Sequence, residues 1–171
     1  WTLIEEVMLE KYLHGVVPYE IGGNSPPAAL AAQAVLARTW ALANSHRFLI
    51  DGYHLCSDTQ CQVYKKPIKR EGPLKQAIRD TSGKILIWKG APIHAVYHAS
   101  NGGVAAAGHE AWKIKELPYL NSKIDGSLKW KSLFQLPISG DSSVEFLLSK
   151  KEGAYGNYHS RFRWQRSITA K

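Results

Sequence analysis

Tyr12-Leu13-His14-Gly15-Val16-Val17-Pro18-Tyr19-Glu20 leads into Ser25-Pro26-Pro27 and then an alanine-rich run that reaches about Ser45. Pro18 on one side and Gly22-Gly23 on the other bracket Glu20, and both residue types break regular structure. Glu20 is therefore expected in a loop, with its carboxylate presented at the mouth of a groove. Ser25 suits a helix cap and Pro26 the first helical position. From Ala28 to Asn44 the side chains are small or apolar, interrupted by Gln33, Arg38 and Thr39. A helix apolar on every face is a buried helix. At about 1.5 Å per residue it spans roughly 30 Å, the width of a small domain. The reading is a buried central helix with an acid on the loop at its start. Gln33 and Arg38 inside it need polar partners, because a buried guanidinium requires an anion or several carbonyls. They are candidates for lining or bracing a site around Glu20.

Upstream, Leu3, Ile4, Val7, Met8 and Tyr12 recur at helical spacing, which predicts an amphipathic helix over Leu3–Leu13 that Gly15 ends. Glu5, Glu6 and Glu10 take its other faces and read as surface charge. Downstream, Pro73 to about Thr81 reads as a short helix with Leu74, Ala77, Ile78 and Thr81 on one face and Gly83 after its end. Lys84–Trp88, a turn at Lys89-Gly90, and Pro92–His98 read as a β-hairpin. Alternation puts Ile93, Ala95 and Tyr97 on one face of that second strand. It runs into Ala99-Ser100-Asn101-Gly102-Gly103, where glycine lets backbone approach a ligand. Phe146–Ser149 reads as the end of a helix or strand, and Ser160–Thr169 alternates as a strand does. Trp112, Tyr119 and Trp130 suit core packing better than stacking on sugar rings. With no repeats and no linker, these elements predict one α+β domain over residues 1–171, its Ala-rich helix packed against mainly antiparallel strands.

The chain has 171 residues, 44% of them hydrophobic, and a formal charge of +8. That length suits one domain with a sizeable core. No apolar run is long enough to span a membrane, and no signal peptide is visible. The chain begins at Trp1 and ends just past an alternating stretch, so it reads as a segment of a longer protein whose targeting sequence lies elsewhere. The charge fits attraction to a polyanion. Nucleic acid is not the expected partner, because the basic residues form no block and no nucleic-acid motif appears. His54, Cys56 and Cys61 have the ligand types of a zinc site. Two cysteines five apart equally suit a local disulfide in an exported protein. Either role is structural and pins the loop that carries Asp58, Gln62 and Tyr64.

The opening stretch, the run Ala31-Ala32-Gln33-Ala34-Val35 through Arg38-Thr39-Trp40, Cys56-Ser-Asp-Thr-Gln-Cys61-Gln-Val-Tyr64, Ala95-Val-Tyr-His-Ala-Ser-Asn-Gly-Gly103 and Phe162-Arg-Trp164 occur together in one order. In this the chain resembles the stage II sporulation protein D family, also called amidase enhancers, over nearly its whole length. Some members bind zinc at the cysteine segment and often carry histidine just before the second cysteine. Gln60 stands there in this chain, which favours the disulfide over zinc. Many relatives have cysteine where this chain has Asn101.

The resemblance implies a peptidoglycan lytic transglycosylase, acting outside the cytoplasm on glycan strands. That reaction cleaves the bond between N-acetylmuramic acid and N-acetylglucosamine and closes a 1,6-anhydro ring. Ordinary glycosidases need two carboxyls. Here the sugar's own C6 hydroxyl attacks, so Glu20 alone acts as general acid and then general base, and no cofactor is required. Apolar neighbours Val16, Val17, Pro18 and Tyr19 favour the protonated donor form. Tyr97, His98 and Ser100 are expected to face Glu20 and hold the sugar; Gln62 and Tyr64 support them. Two alternatives stand beside this: a non-catalytic enhancer that partners a cell-wall amidase, and a hydrolase, for which Asp58 is the second carboxylate available.

Overall fold

The computed structural model describes residues 2–67 and 72–168. The architecture is α+β, and the chain divides into two compact units, residues 1–97 and 98–171.

The first unit is built on three helices, α1 (Leu9–Glu20), α2 (Pro27–Ala43) and α3 (Pro73–Asp80). Tyr12, Leu13, Val16 and Val17 of α1, Leu30, Ala34, Ala37 and Ala41 of α2, and Leu74, Ala77 and Ile78 of α3 form its core. These spacings of three, four and seven place each set on one helical face. Full burial of a leucine or valine contributes about 1.5–3 kcal/mol, so Leu13, Val16, Val17 and Leu30 fix how α1 meets α2. The short side chains of α2 let its neighbours come close. Its burial is one-sided at the start, however: Ala28, Ala29 and Ala32 are exposed, and so is Leu42 near the end. The hairpin of β1 (Ile87–Trp88) and β2 (Ala91–Pro92) also packs on α2, so helices supply most of its surroundings and strands the rest. Lys89 and Gly90 at its tip have φ of 49° and 81°. Two positive φ angles are what a two-residue turn between right-twisted strands requires.

The first helix differs from the sequence reading. Thr2–Met8 is not helical, and Leu3 is 98% exposed. The helix begins at Leu9, passes through Gly15 and Pro18, and ends at Glu20. Gly15 is not a stop signal. The carbonyl of Lys65 and the ring of Tyr64 occupy the place where a Cβ would stand, and Lys65 N–H donates to the Gly15 carbonyl at 3.0 Å. Pro18 removes one helical donor but lies in the last turn, where little helix remains to be broken. Glu20 is thus a helix-terminal residue, not a loop residue. Ser25 likewise does not cap α2: Pro26 takes that position, and the Ser25 hydroxyl donates back to the Ile21 carbonyl at 2.6 Å.

The second unit holds β3 (Val104–Ala105) paired antiparallel with β4 (Lys123–Ile124), and helices α4 (Gly108–Ala111), α5 (Leu128–Lys131) and α6 (Asp141–Ser149). Its core is Trp130, Phe134, Ala154 and Phe162, so Trp130 is a packing residue. Phe146–Ser149 is the end of α6. Residues 160–168 form no strand, and Thr169 lies outside the described residues. Arg163 organises this segment instead. All its guanidinium donors go to carbonyls, those of Gly102, Leu147, Leu148, Lys150 and Phe162, at 2.7–3.2 Å. Three of these carbonyls lie at the end of α6, where a cation is favoured.

Candidate active site

Glu20 is half-buried at the carbonyl end of α1, where the helix dipole least favours negative charge. Donors meet it there. Val63 N–H donates to its Oε1 at 2.7 Å. The Tyr97 hydroxyl stands near enough for the Glu20 charge to raise its pKa. The segment that brings Val63 is strapped along α1. Tyr64 stacks on Tyr12 with ring centroids 5.1 Å apart, and Lys65 is tied to Gly15 as described.

Gln62 sits behind this pair and is 1% exposed. Its Oε1 accepts from the Tyr12 hydroxyl at 3.1 Å. Its Nε2 donates to the Tyr97 oxygen at 3.0 Å and to the Ala37 carbonyl at 3.4 Å. Burial, and after it the charge of Glu20, pushes the Tyr97 phenol well above its ordinary value, although the Gln62 hydrogen bond works the other way. Burial also pushes Tyr12 up, with Tyr97 and Glu20 adding to it. Both phenols stay neutral, and so remain proton donors, at any pH where a carboxyl titrates.

The remaining sequence candidates fall into different places. Arg38, 1% exposed, is bidentate to Glu10 with both contacts at 2.7 Å and also donates to the Lys84 carbonyl at 3.0 Å. It braces α1 against α2 and the approach to β1, and so supports Glu20 only through the position of α1. Glu10 is therefore not mere surface charge. The Arg38 hydrogen bonds hold its carboxyl below the usual range, against an opposing effect of burial. Glu5 is not free surface charge either, since it accepts from the Tyr64 hydroxyl at 3.1 Å. Gln33 is buried with its Nε2 unpartnered.

Asp58 is exposed, and its Oδ1 accepts from Gln60 N–H at 2.8 Å, closing the turn between the cysteines. Cys56 and Cys61 are joined in a disulfide. Their sulfurs are spent on each other, and among the described residues no group of three His, Cys, Asp or Glu side chains could hold a metal ion. Paired in this way, the two sulfurs leave His54 without thiolate co-ligands.

His98 and Ser100 belong to the second unit. His98 is exposed, and the Ser100 hydroxyl accepts from Gly102 N–H at 3.4 Å. Asn101 shapes their loop: its Oδ1 accepts from Gly103 N–H at 2.9 Å and its Nδ2 donates to Asp125 at 2.8 Å. Trp130 Nε1 donates to the Gly103 carbonyl at 2.9 Å, and its ring lies where a Gly103 Cβ would be. Tyr12, Ala37 and Arg163 were missed by the sequence reading as contributors to these loops and sites. Tyr12 lies within the motif quoted first, and its neighbour spacing gave only a core position; Arg163 lies within the quoted Phe162-Arg-Trp164 motif, which does not say what its guanidinium binds, and Ala37 acts through its backbone carbonyl, which leaves no sequence signal.

This arrangement, a carboxyl at a helix end with donors fixed around it, belongs to a chain of the stage II sporulation protein (SpoIID) family, whose model matches residues 1–88. Residues 106–171 match a domain family of unknown function (DUF8618). The chain is 35% identical to the amidase enhancer of Bacillus subtilis (strain 168) over 113 residues, 66% of this chain and 15% of that protein. It is 35% identical to stage II sporulation protein D of the same organism over 135 residues, 70% of this chain and 39% of that protein. An uncharacterised protein of Brachyspira hyodysenteriae is 32% identical over 124 residues, 69% of this chain and 32% of that one. The chain thus matches well under half the length of these relatives.

Proposed function

We propose that this chain acts on the bacterial cell wall as a peptidoglycan lytic transglycosylase with Glu20 as its acid and base. The observation that carries the reading is the placement of Glu20. A single half-buried carboxyl at the end of α1 receives Val63 N–H at 2.7 Å, with the Tyr97 phenol near enough to feel its charge. Glu20 gives its proton to the oxygen between N-acetylmuramic acid and N-acetylglucosamine as the bond from that oxygen to C1 breaks. The C6 hydroxyl of the same muramyl residue bonds to C1 and returns its proton to Glu20. No water is consumed, so the product is one water lighter than a hydrolytic one. Asp58 has its carboxylate engaged in its own turn, which favours a one-carboxyl mechanism over a hydrolase with two. The disulfide suits an oxidising, extracytoplasmic setting. Among the described residues no helix is long and apolar enough to cross a membrane. His98 and Ser100 remain candidates for holding the glycan on the strength of their motif.

The second reading, an enhancer that partners a cell-wall amidase, is favoured by the similarity to a protein named amidase enhancer. Digestion of purified glycan, with the products weighed by mass spectrometry, separates the two. Anhydro-ended fragments support the enzyme. Intact glycan, together with a stimulated amidase that responds equally to the Glu20→Gln variant, supports the enhancer. Fragments of hydrolytic mass, abolished by Asp58→Asn, would overturn the transglycosylase.

A further inference from the structure

Glu20 is served by two consecutive residues of one strap. Val63 reaches it directly through its backbone N–H. Gln62 reaches it through Tyr97, and the direction of that link follows from the donor inventory. The Ala37 carbonyl can only accept, so the amide end of Gln62 that faces it at 3.4 Å must be the nitrogen. The second N–H of that nitrogen points to the Tyr97 oxygen at 3.0 Å. The opposite end of the amide is the oxygen, and the Tyr12 hydroxyl donates to it at 3.1 Å. Both ends of Gln62 are occupied and the residue is 1% exposed, so its amide cannot turn over without breaking buried bonds. With an N–H arriving at its oxygen, Tyr97 has its own proton left to give. The charged group whose field it feels is the Glu20 carboxyl.

We propose that Gln62 is a positioning residue for Glu20: it fills the acceptor side of the Tyr97 oxygen and so directs the Tyr97 proton onto the Glu20 carboxyl. As a statement about catalysis this rests on the transglycosylase reading; the hydrogen-bond order stands by itself. When Glu20 has given its proton to the leaving oxygen, the Tyr97 hydrogen bond falls on a full charge, which makes it about twice as strong as a neutral one. A donor already aimed at the carboxyl needs no reorganisation as that charge appears. When Glu20 takes up the C6 hydroxyl proton, the bond weakens again. Tyr97 keeps its own proton throughout.

The test uses the whole chain, glycan cleavage rates and proton NMR. Gln62→Met removes both ends of the amide. It is expected to lower kcat roughly 10-fold at unchanged KM, a positioning loss smaller than that of the general acid itself. Tyr97→Phe is expected to lose a similar factor. In the Tyr97→Phe background, Gln62→Met should cost nothing further in kcat, because its effect passes through the missing hydroxyl. A merely structural glutamine would cost the same in both backgrounds, and that result, or a raised KM at unchanged kcat, overturns the proposal. Should Gln62→Met fail to fold, Tyr97→Phe decides alone: a 10-fold lower kcat at unchanged KM supports the assignment on the scale just given, and an unchanged kcat overturns it. The NMR arm is independent of activity. The Tyr97 hydroxyl proton, identified by its loss in Tyr97→Phe, should move in Gln62→Glu, which offers Tyr97 an acceptor on the wrong side. A wild-type chain that cleaves no glycan ends the transglycosylase reading. In that case a moved hydroxyl signal still supports the hydrogen-bond order, and an unmoved one overturns it.

Discussion

Replacing Glu10 by alanine strips the carboxylate from a guanidinium that is 1% exposed and leaves it with carbonyls alone. Removing one partner of a buried ion pair costs about 3–5 kcal/mol. The Glu10 side chain is 39% exposed, so water screens part of the interaction. We therefore expect Glu10→Ala to destabilise the chain by about 2–3 kcal/mol. For a protein of this size that lowers Tm by roughly 5–10 °C. Glu6→Ala, on an exposed side chain, is the control and should stay within about 0.5 kcal/mol of wild type. The pair also carries a pH signature. The Glu10 carboxyl is held below its ordinary value of 4.5, chiefly by the Arg38 hydrogen bonds. Its stabilising share is fully present above that ordinary value and is lost as pH falls through the lower folded-state value. Thermal unfolding followed by circular dichroism from neutral pH down to about pH 3 reads both effects, since carboxylates titrate across that range. Wild type should lose stability in the acid range more steeply than Glu10→Ala. Equal melting temperatures at neutral pH, or parallel acid limbs, would refute the brace.

Reduction of the Cys56–Cys61 disulfide should lower stability by about 2 kcal/mol, the loop-closure value for so short a ring, while a chelator leaves Tm unchanged; stoichiometric zinc on free thiolates would contradict this. Gly15→Ala places a Cβ against the Lys65 carbonyl and the Tyr64 ring, and should cost about 1–3 kcal/mol by chemical denaturation. It should also slow glycan cleavage, because it pushes away the strap that carries Val63 and Gln62. Trp130→Ala opens the second unit's core and frees the Gly103 carbonyl, with an expected loss of about 3–5 kcal/mol in urea unfolding.

Much of this was legible in the sequence where the physics is local. The helical state of the alanine run, the Pro73 start of α3 and the Lys89-Gly90 turn were read correctly, because helix and turn chemistry decide them within a few residues; the all-round burial of the alanine run was not, since Ala28, Ala29, Ala32 and Leu42 are exposed. The end of α1 was misread, because Gly15 and Pro18 look like breakers until the strap Tyr64-Lys65, far along the chain, is seen to need the space above Gly15; its start was misread because Leu3, Ile4 and Met8 keep helical spacing while lying exposed outside the helix. Arg38 announced that it needed a partner, but its partner lies 28 positions away, and nothing in the spacing singled out Glu10 over Glu5 or Glu6. The alternation in Ser160–Thr169 suggested a strand, whereas buried Phe162 and the carbonyl-bound Arg163 serve an irregular segment. Glu20 stood out in the sequence as the candidate carboxyl, and Tyr97 as a residue near it; the Val63 donor did not, since it is a backbone N–H.

The central claim is tested most directly by digesting purified glycan with wild type and with Glu20→Gln and weighing the products. Glutamine keeps the shape and can still donate to the glycosidic oxygen, so binding should survive. Loss of the titrating proton should lower cleavage by about 10²–10⁴-fold or more, since one group serves both steps. The account predicts anhydro-ended fragments, one water lighter than hydrolytic ones, from wild type and none from the variant; a Glu20→Gln chain that cleaves as fast as wild type would contradict it.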